Sequence, residues 1–223
     1  EEHRHGHGHG HGHGVAHPHR RLADILALID ASRAPERAKT RAAAVFRRLA
    51  DAEAKAHGIG VEEVHFHEVG AVDAIVDVLG TCVAIEHLGV DHVYCGEFKV
   101  GKGTILCAHG RLPVPAPATA RLLEGFAVIR LDLDAELTTP TGAAILTTLS
   151  EGDWAGRRCR LIRTGIGHGS QDLEAGPNIL RAFLVDVEPG SDMAEILETD
   201  LDDDTPEILG ALFPCGSVTG APK

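Results

Sequence analysis

The apolar residues of this chain recur at helical spacing from Leu22 to about residue 88 and mostly at strand spacing after it, and this change of period limits the fold most strongly. Apolar positions between Leu22 and Ile29 predict a first helix, and a second stripe predicts another that ends before Gly58. A third helix is predicted at about residues 71–88. We expect the first two to form a helical hairpin that packs on a larger body.

Beyond the third helix, segments rich in β-branched residues and bounded by Gly or Pro predict strands. Two stretches between them, PAPATARLLEG and TPTGAAILTTL, begin with proline and threonine, as short helices do. The predicted fold class is therefore α/β or α+β, with a helical hairpin, mixed strands and short helices. The sequence leaves the order of the strands open.

Three regions are expected along the chain. Residues 1–19 are rich in histidine and have almost no apolar side chains, so we expect a mobile tail. Residues 20–190 are expected to form a central α/β domain, because the PGSDM stretch near residue 190 predicts a boundary. Residues 191–223 are expected to be the start of a second domain, followed by an atypical C-terminal segment.

The composition excludes several classes of protein. The formal net charge of −12 argues against a nucleic-acid partner, because phosphate binding requires clustered Lys and Arg. Five cysteines without a CxxC pair argue against a disulfide framework or a zinc ribbon and favour a reducing compartment. No stretch approaches the roughly 20 apolar residues of a membrane span, and no signal peptide is evident. We therefore expect a cytoplasmic protein without membrane association.

The N-terminal segment is the most specific compositional feature. Eight of the 15 histidines lie before residue 20, and most alternate with glycine. Neutral imidazole suits nickel, zinc and copper, and the glycines allow several rings to surround one ion. The alternatives are a purification tag or a solubilising tail. The predicted metal ligands are His5, His7, His9, His11, His13, His17 and His19.

A polar stretch before the third helix holds the candidate catalytic cluster. In an extended segment His65 and His67 lie on one side, with Glu68 next to them. Asp73 and Asp77 follow at helical spacing, where like charges repel by about 0.2–0.5 kcal/mol unless a cation lies between them. The alternatives are surface or core histidines, and acids that the helix dipole favours.

Two further sets of residues are candidates for binding phosphate or a hard cation. A Gly-rich turn and a helix start offer backbone N–H groups without a P-loop pattern, and plain turns are the alternative. The phosphate candidates are Lys102, Thr104, Thr139 and Thr141. An acidic run offers oxygen ligands that suit Mg or Mn, with a solvated turn as the alternative. Its candidates are Glu198, Asp200, Asp202 and Asp203.

The run VHFHEVGAVDAIVDVLG resembles the signature of the nickel insertion proteins of nickel-pincer cofactor biosynthesis. Further runs are similar to successive blocks of that family, in the same order: RLPVPAPATARLLEG, ELTTPTGAAIL, GIGHGSQDLEAGPNILR and ETDLDDDTPEILG. A His-rich segment upstream is also a familiar feature of the family. The resemblance covers about residues 20–211.

The resemblance implies a cytosolic enzyme of the lyase or chelatase class, a cyclometallase that inserts nickel into pyridinium-3,5-bisthiocarboxylic acid mononucleotide. It implies nickel–carbon and nickel–sulfur bonds, consumption of CTP with Mn or Mg, and a product that serves as the cofactor of lactate racemase and related enzymes. The acidic run then corresponds to the opening of the nucleotide-binding domain. The expected partners are the pincer nucleotide precursor and either the rest of that domain or a recipient racemase apoenzyme. A homo-oligomer stays an open alternative.

Two departures from the family pattern affect these expectations. The chain lacks the family's usual N-terminal stretch and most of its C-terminal domain, so we expect CTP binding by this chain to be weak or absent. Residues 212–223, LFPCGSVTGAPK, do not continue the pattern and resemble a short motif of chorismate-using enzymes. The alternatives to nickel insertion are a non-catalytic nickel store or metallochaperone and, on the final residues alone, a chorismate enzyme.

Overall fold

The structure is a computed structural model that describes most of the central region. For residues 193–200 it describes the course of the backbone alone. The predicted His-rich tail, residues 1–19, lies outside the described residues. The described ranges are 20–66, 72–107, 110–169, 171, 173, 176–187 and 193–200.

The helices confirm the predicted change of period. In the described residues they are α1 at Leu22–Ala31, α2 at Glu36–His57, α3 at Val72–His87, α4 at Pro117–Leu122 and α5 at Pro140–Leu149, with a 3-10 turn at Val61–Glu63. None of these helices combines the length and apolar character that a membrane crossing requires. The two segments that begin with proline, α4 and α5, are short helices as predicted.

Helix α2 is the centre of the hydrophobic core, because it packs against the other four described helices. It ends at Gly58, whose left-handed backbone (φ 68°) donates its N–H to the Ala54 carbonyl. The apolar stripe predicted from the sequence is fully buried and consists of Ala38, Ala42, Val45, Phe46 and Leu49. Together α1 and α2 form the predicted hairpin.

The strands are short except near the C-terminal end of the described region. They are β1 at Arg20–Arg21, β2 at His65–Phe66, β3 at His92–Cys95, β4 at Phe98–Val100, β5 at Thr104–Cys107, β6 at Gly110–Pro113, β7 at Val128–Arg130, β8 at Cys159–His168, β9 at Ile179–Val187 and β10 at Met193–Asp200. Helices and small mixed sheets together make an α+β fold, one of the two predicted classes.

The largest sheet has the strand order β3-β10-β9-β8. Strand β10 runs parallel to β3 and antiparallel to β9, and β8 pairs antiparallel with β9. Strand β10 follows residue 190, where the sequence predicts a boundary, yet its backbone pairs inside the sheet of the preceding region. Residues at the ends of β8 and β9 line one cavity together with residues of α3 and α5.

Candidate functional site

Two cavities share the loop that joins β7 to α5. The larger has a volume of about 680 Å3 and lies between α3, this loop, the first turns of α5 and the facing ends of β8 and β9. The smaller has a volume of about 290 Å3 and lies between the end of α2, β2, the β5–β6 hairpin and the start of α4. Together they contain several of the residues predicted from the sequence, although not as one cluster.

The α3 wall of the larger cavity carries an acidic side chain. Asp77 is exposed and lines the cavity, and its backbone carbonyl accepts a hydrogen bond of 2.7 Å from the Thr81 hydroxyl, which also lines it. Asp73 is exposed in the first turn of α3 and is not part of the lining. The structure therefore brings one member of the predicted aspartate pair to this cavity.

The α5 wall presents the start of a helix. Thr139 is the N-cap, and its hydroxyl accepts the Gly142 N–H at 3.2 Å. Pro140 has no N–H group, so the backbone of Thr141 has the remaining N–H among the first three helical residues. Thr138 is 7% exposed and donates its hydroxyl hydrogen to the Lys99 carbonyl at 2.7 Å. This turn therefore offers few free N–H groups to an anion, because the Gly142 N–H is bonded within the turn and Pro140 has none.

The β8–β9 wall is rich in glycine. Gly167, His168 and Gly169 line the cavity at the end of β8, opposite Asn178. The Gly169 N–H donates to the Asn178 carbonyl at 2.8 Å, and the Asn178 side chain donates to the Gln171 carbonyl at 3.2 Å. A Cβ atom at Gly169 would overlap the Asn178 side-chain amide, which would then have to shift. This arrangement holds the His168 segment at the cavity edge.

The smaller cavity contains His65. Its neighbour Phe66 is buried and packs edge-on against Phe46 of α2, with ring centroids 6.3 Å apart. Because side chains alternate along a strand, His65 points to the other side and is exposed. The same cavity is lined by His57, whose ring lies 3.6 Å from the Glu53 carboxylate.

Two cysteines of the described region differ in their surroundings. Cys107 lines the smaller cavity, and its thiol donates to the Gly110 carbonyl at 3.3 Å. Cys82 lies in the core, where burial raises the pKa of its thiol to about 11, and nearby Arg41 lowers that pKa only in part. Cys82 is thus a packing residue, whereas Cys107 faces a cavity.

The candidate phosphate ligands of the Gly-rich turn lie away from both cavities. The Lys102 ammonium is 2.7 Å from the Asp132 carboxylate and 3.9 Å from that of Asp134. The hydrogen bond with Asp132 raises the pKa of Lys102 and lowers the pKa of Asp132. Thr104 accepts a hydrogen bond of 3.0 Å from Arg111. Of the four phosphate candidates, Thr139 is the one whose residue lines a cavity.

Most of the predicted metal ligands lie outside the residues that the structure describes. His67, Glu68 and the tail histidines lie outside the described residues, as do Asp202 and Asp203. Glu198 and Asp200 belong to β10, whose side chains are not described. Within the described part of the chain, no three His, Cys, Asp or Glu residues are grouped so that they could hold a metal ion.

Among the lining residues that were not predicted from the sequence are Glu136, His168 and Asn178. All three lie in runs that carry the family resemblance, since Glu136 begins ELTTPTGAAIL and the other two belong to GIGHGSQDLEAGPNILR. Their membership of these runs was the available signal. The spacing of apolar and polar residues gave no such signal, because these three residues lie in loops or at strand ends.

Comparison with known proteins identifies the class. The sequence model of the nickel insertion protein family matches residues 4–221, so the chain belongs to that family. The match includes residues 212–221, which the sequence analysis placed outside the family pattern. No solved structure matches the chain.

Individual relatives agree with this assignment. The chain is 44% identical over 196 residues to the pyridinium-3,5-bisthiocarboxylic acid mononucleotide nickel insertion protein of Staphylococcus epidermidis, covering 87% of this chain and 49% of that protein. The protein of the same name in Staphylococcus saprophyticus is 42% identical over 196 residues, covering 87% and 50%. A relative in Geobacter metallireducens is 48% identical over 195 residues, covering 86% and 50%. The chain thus spans about half the length of these relatives.

Proposed function

We propose that this chain carries the site where nickel is inserted into pyridinium-3,5-bisthiocarboxylic acid mononucleotide, and that the larger cavity holds this precursor. The observation that supports the proposal is the convergence of three family-like runs on one cavity. All the described lining residues come from VHFHEVGAVDAIVDVLG, ELTTPTGAAIL and GIGHGSQDLEAGPNILR, except Thr81, Phe98 and Lys99. Residues from these runs, which are far apart in the sequence, therefore line one space, to which the first run contributes Asp77.

The cavity suits such a molecule in size and in chemistry. Small-molecule sites usually have volumes of about 300–1,000 Å3, with a largely apolar lining and a few polar groups that fix orientation. Phe98, Ile145 and Leu146 provide buried apolar surface for the aromatic ring. We propose that the phosphate lies near His168 and the first turn of α5, where the helix dipole favours an anion.

The remaining steps of the proposal concern the metal and the nucleotide. We propose that Asp77 attracts the nickel ion toward the precursor, since it is the exposed carboxylate of α3 in the cavity lining. CTP with Mg or Mn is the proposed co-substrate, and the acidic run that includes Glu198 and Asp200 is its proposed metal site. The His-rich tail is proposed to collect nickel before insertion.

The test is precursor binding, measured by calorimetry without nickel or CTP. We expect His168→Ala to weaken binding by about 10-fold or more, because a lost hydrogen bond to a charged group costs about 1.5–3 kcal/mol. The matched control is His87→Ala, which removes an exposed histidine that lines neither cavity. Equal affinities for both variants would contradict the placement of the precursor. A protein that binds nickel but neither binds the precursor nor forms the cofactor would instead be a nickel store or metallochaperone.

A further inference from the structure

Glu136 occupies a position that no other described lining residue shares, because it lines both the larger and the smaller cavity. Its side chain is half-buried in the loop that separates the two spaces. On the larger side it shares the cavity with Asp77 and His168, and on the smaller side with His57 and His65. A carboxylate here can therefore receive a proton from one cavity and release it toward the other.

The loop that carries Glu136 is fixed against β4 and the turn after it. The Leu131 N–H donates to the Val100 carbonyl and the Lys102 N–H donates to the Leu133 carbonyl, both at 2.8 Å. The Thr138 hydroxyl adds a bond to the Lys99 carbonyl on the other side of Glu136. These contacts hold the Glu136 backbone in place. A group that reacts with a bound substrate needs such a fixed position.

The chemistry of the proposed substrate creates a need for a base. Its thiocarboxylates occupy ring positions 3 and 5, so a nickel ion held by one sulfur from each lies against C4, the ring carbon between them. C4 carries a hydrogen. If nickel enters as Ni²⁺ and bonds to C4, the electron pair of the C4–H bond becomes the nickel–carbon bond, and the hydrogen leaves as a proton. No oxidant or reductant is needed, but a group must accept the proton.

We propose that the Glu136 carboxylate accepts the proton that leaves C4 when nickel is inserted. The proposal rests on the proposed function, because it requires the precursor to lie in the larger cavity. Asp77 is the other carboxylate among the described lining residues of that cavity, but it is exposed on α3 and would be hydrated. A half-buried carboxylate on a fixed loop is the better-positioned base.

The experiment uses the complete reading frame that encodes the chain, supplied with the precursor, Ni²⁺, CTP and Mg²⁺ or Mn²⁺. Glu136→Ala should lower the rate of insertion by about 100-fold or more, the usual contribution of a general base. It should leave precursor affinity within about threefold of wild type, since the effect lies on the chemical step. Added formate should restore part of the rate to Glu136→Ala, and Glu136→Asp should keep more activity than Glu136→Gln. With precursor deuterated at C4, product mass should show loss of the label.

Controls separate this proposal from the one on which it rests. Glu62→Ala, an exposed glutamate that lines neither cavity, should insert nickel at the wild-type rate and not respond to formate. The proposed proton role is wrong if Glu136→Ala inserts nickel at the control rate or loses precursor binding. It is also wrong if formate does not raise the rate of Glu136→Ala and Glu136→Asp is no more active than Glu136→Gln. If the wild-type protein neither binds the precursor nor forms product, the proposed function itself fails.

Discussion

Replacing Gly101 with alanine tests whether the loop that carries Glu136 is held in place by close backbone contact. A Cβ atom at Gly101 would overlap the Ala135 carbonyl oxygen and would lie 2.7 Å from that of Leu133. Both atoms belong to the backbone of the loop, so no flexible side chain can move aside. The loop must shift, and Glu136 with it.

The expected cost follows from this geometry. Overpacking usually destabilises a protein by about 1–3 kcal/mol, and a clash with two backbone oxygens favours the upper end. In a chain of this size about 3 kcal/mol corresponds to a fall in Tm of about 6–12 °C. Nickel insertion by the folded Gly101→Ala protein should fall further than precursor binding, because the shift displaces the proposed base.

Thermal unfolding and nickel insertion are measured for Gly101→Ala beside Gly96→Ala, the same change at a glycine that precedes β4. No heavy atom lies within 4 Å of a Cβ at Gly96, so this control should change stability by less than about 1 kcal/mol. Equal melting temperatures for the two variants would refute the argument. Equal insertion rates would show that the loop position does not matter to the reaction.

The remaining predictions concern charge and the tail. Asp77→Asn should reduce nickel insertion and leave the free energy of unfolding equal or slightly higher, whereas Asp73→Asn, outside the cavity lining, should have the smaller effect on insertion rate. Lys102→Met should return the lowered pKa of Asp132 to its ordinary range, as an NMR titration would show. In wild type, the stability from this pair is present above the ordinary aspartate pKa and lost as pH falls through the lowered one. Removing residues 1–19 should lower the nickel bound per chain in equilibrium dialysis while leaving Tm unchanged.

The first three helices could be predicted closely because each has one long apolar stripe and a clear end. The sequence predicted that the second helix ends before Gly58, and Gly58 is indeed its C-cap. The β5–β6 hairpin was not predicted. Its side chains are exposed or half-buried on both faces, so it shows no clear alternation of apolar and polar residues.

The candidate site was harder to predict, because nearness in sequence was taken as nearness in space. His65 and Asp77 belong to one run of sequence but line different cavities. The burial of Phe66 against α2 directs His65 toward the β5–β6 hairpin, while Asp77 faces the β8–β9 pair from the next helix. Only the packing of α3, α5 and β8 shows which residues share a space.

The Gly-rich turn and the start of α5 were predicted as two separate phosphate-binding elements, and the structure connects them through one loop. At one end of this loop Lys102 forms an ion pair with Asp132. At the other end the Thr138 hydroxyl donates a hydrogen bond to the Lys99 carbonyl. Gly101 permits the close contact between them. We therefore infer that Lys102 affects the site by holding the loop. A change at Lys102 should then act on insertion through Glu136, so that Lys102→Met adds little to the loss in Glu136→Ala. Independent, additive losses would instead indicate that Lys102 has a role of its own.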